Sequence, residues 1–131
     1  VIGGVVLDTS SLADAATGAT IYTRAKIRTA VEYGIVLAIP TAALAAAWAQ
    51  VPPSGYPFLA LAAGLSVAVA DPLDEVTARD LGLLLSAADP GPDLAAAHVV
   101  CSARRRGWPV LTSDPGPLLA IDPGIEIERL P

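Results

Sequence analysis

The chain has 131 residues, 53% of them hydrophobic, and a formal net charge of −5. That is enough apolar chain for one domain, 1–131, with a real core, and it excludes a disordered polypeptide. The acidic balance argues against broad electrostatic binding of nucleic acid, and no apolar run approaches the ~20 residues of a membrane span, so no membrane partner is expected. No charged leader with a cleavage site is evident. The single cysteine, Cys101, has no intrachain partner. Within a helical pattern it reads as a small buried apolar residue and suits a reducing, cytoplasmic setting.

An apolar run starts at Val1-Ile2, resumes at Val5-Val6-Leu7 and stops at Asp8, with hydroxyl residues Thr9, Ser10 and Ser11 directly after it. A short run rich in Val and Ile reads as a strand buried on both faces. Residues 11–17 then predict a short helix broken by Gly18. Residues 19–33 predict a longer helix, with Ile21, Ala25, Arg28 and Val31 at helical spacing and Gly34 as the stop. This helix carries Arg24, Lys26 and Arg28, three of the eight basic residues. A solvated face explains them; an RNA-binding surface that tracks phosphates is the sharper reading. A second buried strand spans 35–39 and closes at Pro40. Thr41 caps the following helix, or Pro40-Thr41 opens it directly. That helix, 42–50, is almost wholly apolar and ends at Pro52-Pro53-Ser54-Gly55. A helix over 57–63 follows, whose Phe58, Leu59 and Leu61, with Leu65 beyond it, read as core or dimer surface. A third strand, 66–70, ends at Asp71, where Pro72 indicates a turn.

Asp74 and Glu75 open a helix over 76–87, where acidic residues complement the helix dipole. Arg79 is spaced to pair with Glu75, and Gly82 implies close packing. Asp89–Pro92 reads as a loop. The helix 93–106 ends at Gly107, with Arg104, Arg105 and Arg106 in the last turn, where the dipole favours cations. Trp108-Pro109 lead into Val110-Leu111-Thr112-Ser113-Asp114, which repeats the first strand's design: apolar run, hydroxyls, carboxylate. Pro115-Gly116-Pro117 reads as a turn, 118–120 as a helical turn and 126–130 as an alternating strand. Strands alternate with helices throughout, which makes the fold α/β with a mainly parallel central sheet. Ligands of such sheets sit outside the carboxyl ends of the strands. If the strands ending at Asp8 and Asp114 are neighbours, the two carboxylates converge and suit a divalent metal. The plain alternative is that each caps a helix or turn. A phosphate-accepting receiver is set aside, because the only lysine, Lys26, lies in a helix and not at a strand end.

The Val-Leu-Asp-Thr-Ser start, the Ile-Pro segment before a helix, and the closing Ala-Arg-Arg-Arg-Gly-Trp-Pro-Val-Leu-Thr-Ser-Asp together resemble a PIN domain. The resemblance is to the VapC-like branch, toxins of toxin–antitoxin pairs, and covers nearly the whole chain. It implies a three-layer α/β/α fold and a metal-dependent endoribonuclease, in which acidic residues hold Mg²⁺ or Mn²⁺. The family's first acidic position falls on Asp8 and its last on Asp114. Ser10 and Thr112 match supporting hydroxyl positions. The two middle acids are missing: Ala46 stands where the family has Glu, and Ala96 where it has Asp. Asp93, three residues and about 4.5 Å along the helix from Ala96, is the one replacement, either as a ligand or as the cap of that helix. His98 points about 200° around the helix from Ala96, away from the site. The resemblance therefore implies a ribonuclease whose activity is weak or lost. Its alternative is a non-catalytic module that binds an antitoxin-like protein, RNA or a second copy of itself as a homodimer, with the apolar segment 48–65 as an interface.

Overall fold

The computed structural model describes residues 3–88 and 93–131. Val1, Ile2 and the loop expected at Asp89–Pro92 lie outside the described residues. Five strands form one sheet in the order β3-β2-β1-β4-β5: β1 Gly4–Leu7, β2 Val36–Pro40, β3 Ala68–Asp71, β4 Val110–Thr112 and β5 Ile127–Arg129. Every pairing is parallel, including that of the terminal strand, so the sheet is wholly parallel among the described residues. The helices are α1 Thr9–Thr17, α2 Tyr22–Tyr33, α3 Thr41–Gln50, α4 Tyr56–Ala63, α5 Glu75–Ala87, α6 Leu94–Arg106 and α7 Gly116–Ile121, with a 3₁₀ turn at Pro53–Gly55. The architecture is three-layered, α/β/α.

β1 is the central strand, and Val5, Val6 and Leu7 are all buried. Side chains of a strand alternate between faces, so burial of three in a row requires cover on both sides. The chain builds β1, β2 and β3 outward in one direction, then returns to the other side of β1 with β4 and β5. The strand order therefore reverses between β1 and β4. That reversal is the position in an open α/β sheet where ligands bind, outside the carboxyl ends.

Several local expectations change. The second helix starts at Tyr22 and not at residue 19. The cause is tertiary: buried Asp14 on α1 accepts the Thr20 amide at 2.7 Å, the Thr20 hydroxyl at 2.8 Å and the Thr23 amide at 3.4 Å. These bonds hold residues 19–21 as a link, and Asp14 supplies from another helix the cap that Ile21 cannot. The face of α2 that faces inward is Thr23, Ile27 and Ala30, while Ile21 is 87% exposed. Arg79 does not reach Glu75; its nearest acidic partner is its neighbour Asp80, at 3.9 Å. Gly82 is exposed, and a Cβ there would meet nothing within 4 Å, so close packing does not explain it. α7 begins at Gly116, inside the stretch expected to be a turn.

The arginine triplet is structural. Arg104 lies 3.6 Å from Asp122, Arg105 bonds Asp80 at 2.7 Å and the Thr77 hydroxyl at 2.9 Å, and Arg106 donates through Nε to Asp71 at 3.0 Å. Asp71, the third strand-end acid, thus serves the packing of α6 and not the region around Asp8. Its carboxyl is held below the usual range: the Arg106 and Ser102 bonds outweigh an upward push from burial, which is the largest single influence.

Candidate metal centre at the switch point

β1 and β4 pair directly, with Val6 opposite Val110 and Leu7 opposite Leu111. Asp8 follows β1 at once, and Asp114 follows β4 by two residues. Both line one cavity of about 200 Å³, together with Thr9, Ser10, Ala46, Gln50, Asp93 and Ala96. The two strand ends are stitched together by hydroxyls. Ser10 Oγ donates to Asp8 Oδ1 at 2.7 Å and accepts the Ser113 amide at 2.9 Å. It also lies 3.2 Å from Thr112 Oγ1, which accepts the Asp114 amide at 2.9 Å. Ser10 and Thr112 therefore fix the separation of the two acidic segments across 102 residues of sequence.

Asp8 is also the N-cap of α1, accepting the Ser11 amide at 2.8 Å. It is 7% exposed. Burial pushes its carboxyl above the usual range, and the hydrogen bonds from Thr112, Ser11 and Ser10 offset only part of that. A carboxylate in this condition gains from a nearby cation, which favours its charged form. Asp93 caps α6 by accepting the Ala96 amide at 2.7 Å, and its side chain still lines the cavity. The cap role and the position beside the site coexist.

Ala46 and Ala96 both line this cavity. The positions where the resemblance leads one to expect carboxylates are inside the site, and they carry methyl groups. No group of three or more His, Cys, Asp or Glu side chains placed to hold a metal lies among the described residues. The chemistry of the lining is that of a site with two carboxylates, Asp8 and Asp114, and Asp93 beside them, which would suit at most one strongly hydrated divalent ion. It does not fit two ions. His98 stays outside the cavity: it is buried, and its Nδ1 accepts the Ala42 amide at 3.2 Å at the start of α3.

The basic residues of α2 are not gathered at the cavity. Arg24 donates through Nε to Ala15 O at 2.7 Å and lies 4.8 Å from the centroid of Phe58, so it caps the last turn of α1. Lys26 pairs with Glu128 at 2.8 Å. Arg28 is exposed, on a separate hollow shared with Gly18 and Ile21. Of the residues lining the cavity, sequence reasoning passed over Gln50, Thr9 and the apolar wall of Val99, Pro117 and Leu118. Gln50 had a readable signal, since it lies four residues after Ala46 and so shares its helix face.

No family model matches the chain, and no curated protein matches it. Solved structures do. The chain is similar to the toxin VapC20 of Mycobacterium tuberculosis, described as cleaving the sarcin–ricin loop, at 15% identity and a TM-score of 0.70, over 92% of this chain and 95% of that one. It is similar to VapBC2 of Rickettsia felis, solved bound to a promoter DNA fragment, at 14% identity and a TM-score of 0.67, over 98% and 99% of the two chains. It is also similar to FitAcB of Neisseria gonorrhoeae, at 16% identity and a TM-score of 0.57, over 94% and 95%. A likeness at such identity is one of fold, and it spans nearly the whole length of each chain compared: the chain has the PIN-like fold of the VapC-type toxin proteins.

Proposed function

We propose that the chain is a PIN-fold endoribonuclease of the VapC-like type working with a depleted acidic site, and that its turnover is slow. The observation that carries this reading is the convergence of Asp8 and Asp114 in one cavity at the sheet's switch point. Asp8 and Asp114 would hold one Mg²⁺ or Mn²⁺, with Asp93 beside them. Such an ion, when bound, supplies an acidified water and neutralises charge on a phosphodiester. The chain's own part is positional. Ser10 and Thr112 keep the two carboxylates at fixed spacing, and burial of Asp8 makes it responsive to a cation. The methyl groups of Ala46 and Ala96 leave no further carboxylate to orient the attacking water or to hold a second ion, which costs orders of magnitude in rate. The test is cleavage of single-stranded and structured RNA by the purified chain with Mn²⁺. Slow cleavage abolished by Asp8→Asn and by Asp114→Asn supports the reading; intact RNA, or cleavage indifferent to both substitutions, overturns it.

A second reading follows from the same two alanines: a module that binds without turnover, its partner an antitoxin-like protein, RNA or a second copy in a homodimer. The exposed aromatic pair Trp48 and Tyr56, with ring centroids 5.1 Å apart, and the exposed Leu61 favour a protein partner. A stable complex or dimer in solution with no measurable cleavage would select it. A cytoplasmic site of action accompanies both readings.

A further inference from the structure

Gln50 is the only side-chain amide in the chain, which has one Gln and no Asn. It lies at the last position of α3 and lines the acidic cavity. It also lines a second hollow of about 400 Å³, formed with Ser10, Ala13, Asp14, Thr17, Thr20 and Ser113 among others. Gln50 and Ser10 are the two residues common to both. Gln50 therefore stands on the ridge that separates them.

Most hydrogen-bond donors around this ridge are spent, the exposed Ser113 hydroxyl excepted. The Ser10 hydroxyl donates to Asp8, the Ser113 amide to Ser10 and the Asp114 amide to Thr112. Thr20 donates both its groups to Asp14, and the Thr17 hydroxyl donates to Ala13 O at 2.8 Å. The Asp8, Asp93 and Asp114 carboxylates are acceptors only when charged. Neither hollow is lined by a Lys or Arg. The Gln50 amide is exposed and without a hydrogen-bond partner among the described residues; of the side chains that line both hollows it is the one with N–H groups left to donate to an anionic or carbonyl oxygen.

We propose that Gln50 is a substrate-binding residue whose side-chain amide hydrogen-bonds an RNA strand where it crosses from the acidic cavity into the adjoining hydroxyl-rimmed hollow. The proposal rests on the ribonuclease reading above and extends it: the strand occupies both hollows, with one linkage over the ridge. A single-stranded segment suits this path, because its backbone can bend over the ridge while a duplex cannot enter two adjacent small hollows. The neighbouring hollow then takes the nucleotide beside the one at the carboxylates.

The test uses the full chain, ¹⁵N-labelled, titrated with a short single-stranded RNA in Mg²⁺. Since there is one side-chain amide, its paired NH₂ signals identify themselves, and they should shift as RNA is added. Gln50→Ala should weaken RNA binding about tenfold, the worth of one hydrogen bond to a charged group. Gln50→Glu, which removes the donors and adds a charge, should weaken it at least as much. Both variants should melt like the parent, because the side chain is exposed. If the NH₂ signals stay in place and Gln50→Ala binds RNA like the parent, while Asp114→Asn alters binding, the role of Gln50 is refuted and the acidic site stands. If RNA moves neither these signals nor the backbone signals of Asp8 and Asp114, both readings fall together.

Discussion

Restoring carboxylates at positions 46 and 96 is the most direct probe of the cavity. Ala46 is half-buried and Ala96 is 9% exposed, and both line the cavity with Asp8 and Asp114. An Ala46→Glu, Ala96→Asp double variant would place new charges on the order of 6 Å from the existing pair. At an effective dielectric near 20 each of the four new like-charge pairs costs about 3 kcal/mol if fully charged, and proton uptake with solvent screening cuts the sum to a few kcal/mol. A domain of this size has roughly 5–15 kcal/mol of total stability, so the apo variant should melt on the order of 10 °C below the parent. Part of the repulsion will be relieved by proton uptake, which makes the loss larger at pH 8 than at pH 6. A divalent cation reverses the sign. Saturation at a hundred times the dissociation constant returns about 2.7 kcal/mol. The readout is the difference in melting temperature between Mn²⁺ and EDTA: small for the parent, on the order of 10 °C for the variant. RNA cleavage in Mn²⁺ should rise by roughly 100-fold, the lower range for a positioned general base. A folded variant that melts at one temperature with and without Mn²⁺, and cleaves no faster, would show that positions 46 and 96 do not address the Asp8–Asp114 pair.

The remaining predictions concern the protonation and packing that hold the site. Asp8→Asn should raise stability at neutral pH by a few degrees: the raised carboxyl destabilises the fold as pH climbs above the unfolded value, so the gain should vanish as pH falls towards about 4. Asn keeps the cap, because the Ser11 amide and the Ser10 hydroxyl both bond Asp8 at Oδ1; a variant no more stable at pH 7 than at pH 4, relative to the parent, would contradict the burial argument. His98 is pushed below its ordinary range by burial, against the pull of Asp71 and Asp74, so it folds neutral. Stability should be full above about pH 6.5 and fall as pH drops below it. His98→Ala should remove this dependence and cost about 3 kcal/mol through a cavity and an orphaned Ala42 amide; chemical denaturation at pH 7.5 and 5.5 measures both effects. Gly4→Ala drives a methyl group into the Trp108 ring packed on β1 and should cost roughly 1–3 kcal/mol by the same assay.

What the sequence made legible follows from how local each cause is. β1 and β4 announce themselves because strands buried on both faces read as short apolar runs, and Asp8 and Asp114 follow soon after each run stops. Helix stops at Gly18, Gly34 and Gly107 are equally local: each has a positive φ, near 70°, that only glycine adopts freely. The misread features have causes distant in sequence. The start of α2 is set by Asp14, on a different helix, and its inward face by where α2 lands on the sheet. Arg79 fails to meet Glu75 though their spacing allows it, while Arg105, on α6, takes Asp80. Within the site, the pairing of Asp8 with Asp114 depends on one topological fact, that β4 inserts beside β1, which alternation of strands and helices does not fix. Gln50 is illegible for another reason: a neutral amide at a helix end has no pattern of its own until the cavity beside it exists.

Capping and ligand binding are usually weighed against each other for an acid at a strand end, and here the geometry dissolves the choice. A capping carboxylate commits one oxygen to the helix: in Asp8 it is Oδ1, bonded by the Ser11 amide and the Ser10 hydroxyl, and in Asp93 it is Oδ1, bonded by the Ala96 amide. The cap does not consume the other oxygen. In a parallel α/β sheet the helix that follows a strand starts at the strand's carboxyl end, so the local rule that selects Asp as a cap also delivers carboxylates to the rim where ligands bind. Capping thus explains why Asp8 and Asp93 can be there at no cost to the fold. Ala46 sits inside α3, where a carboxylate would repay the chain only by binding something, and Ala96 sits in the first turn of α6, where the dipole would add only a modest gain and Asp93 already caps the helix. The acids that serve the fold are present and those that would serve only catalysis are absent, except for Asp114, whose side chain caps no helix among the described residues. Asp114 is therefore the residue that most separates the two readings: if its replacement by Asn changes neither metal nor RNA binding, the surviving acids are capping residues and the cavity has lost its chemistry.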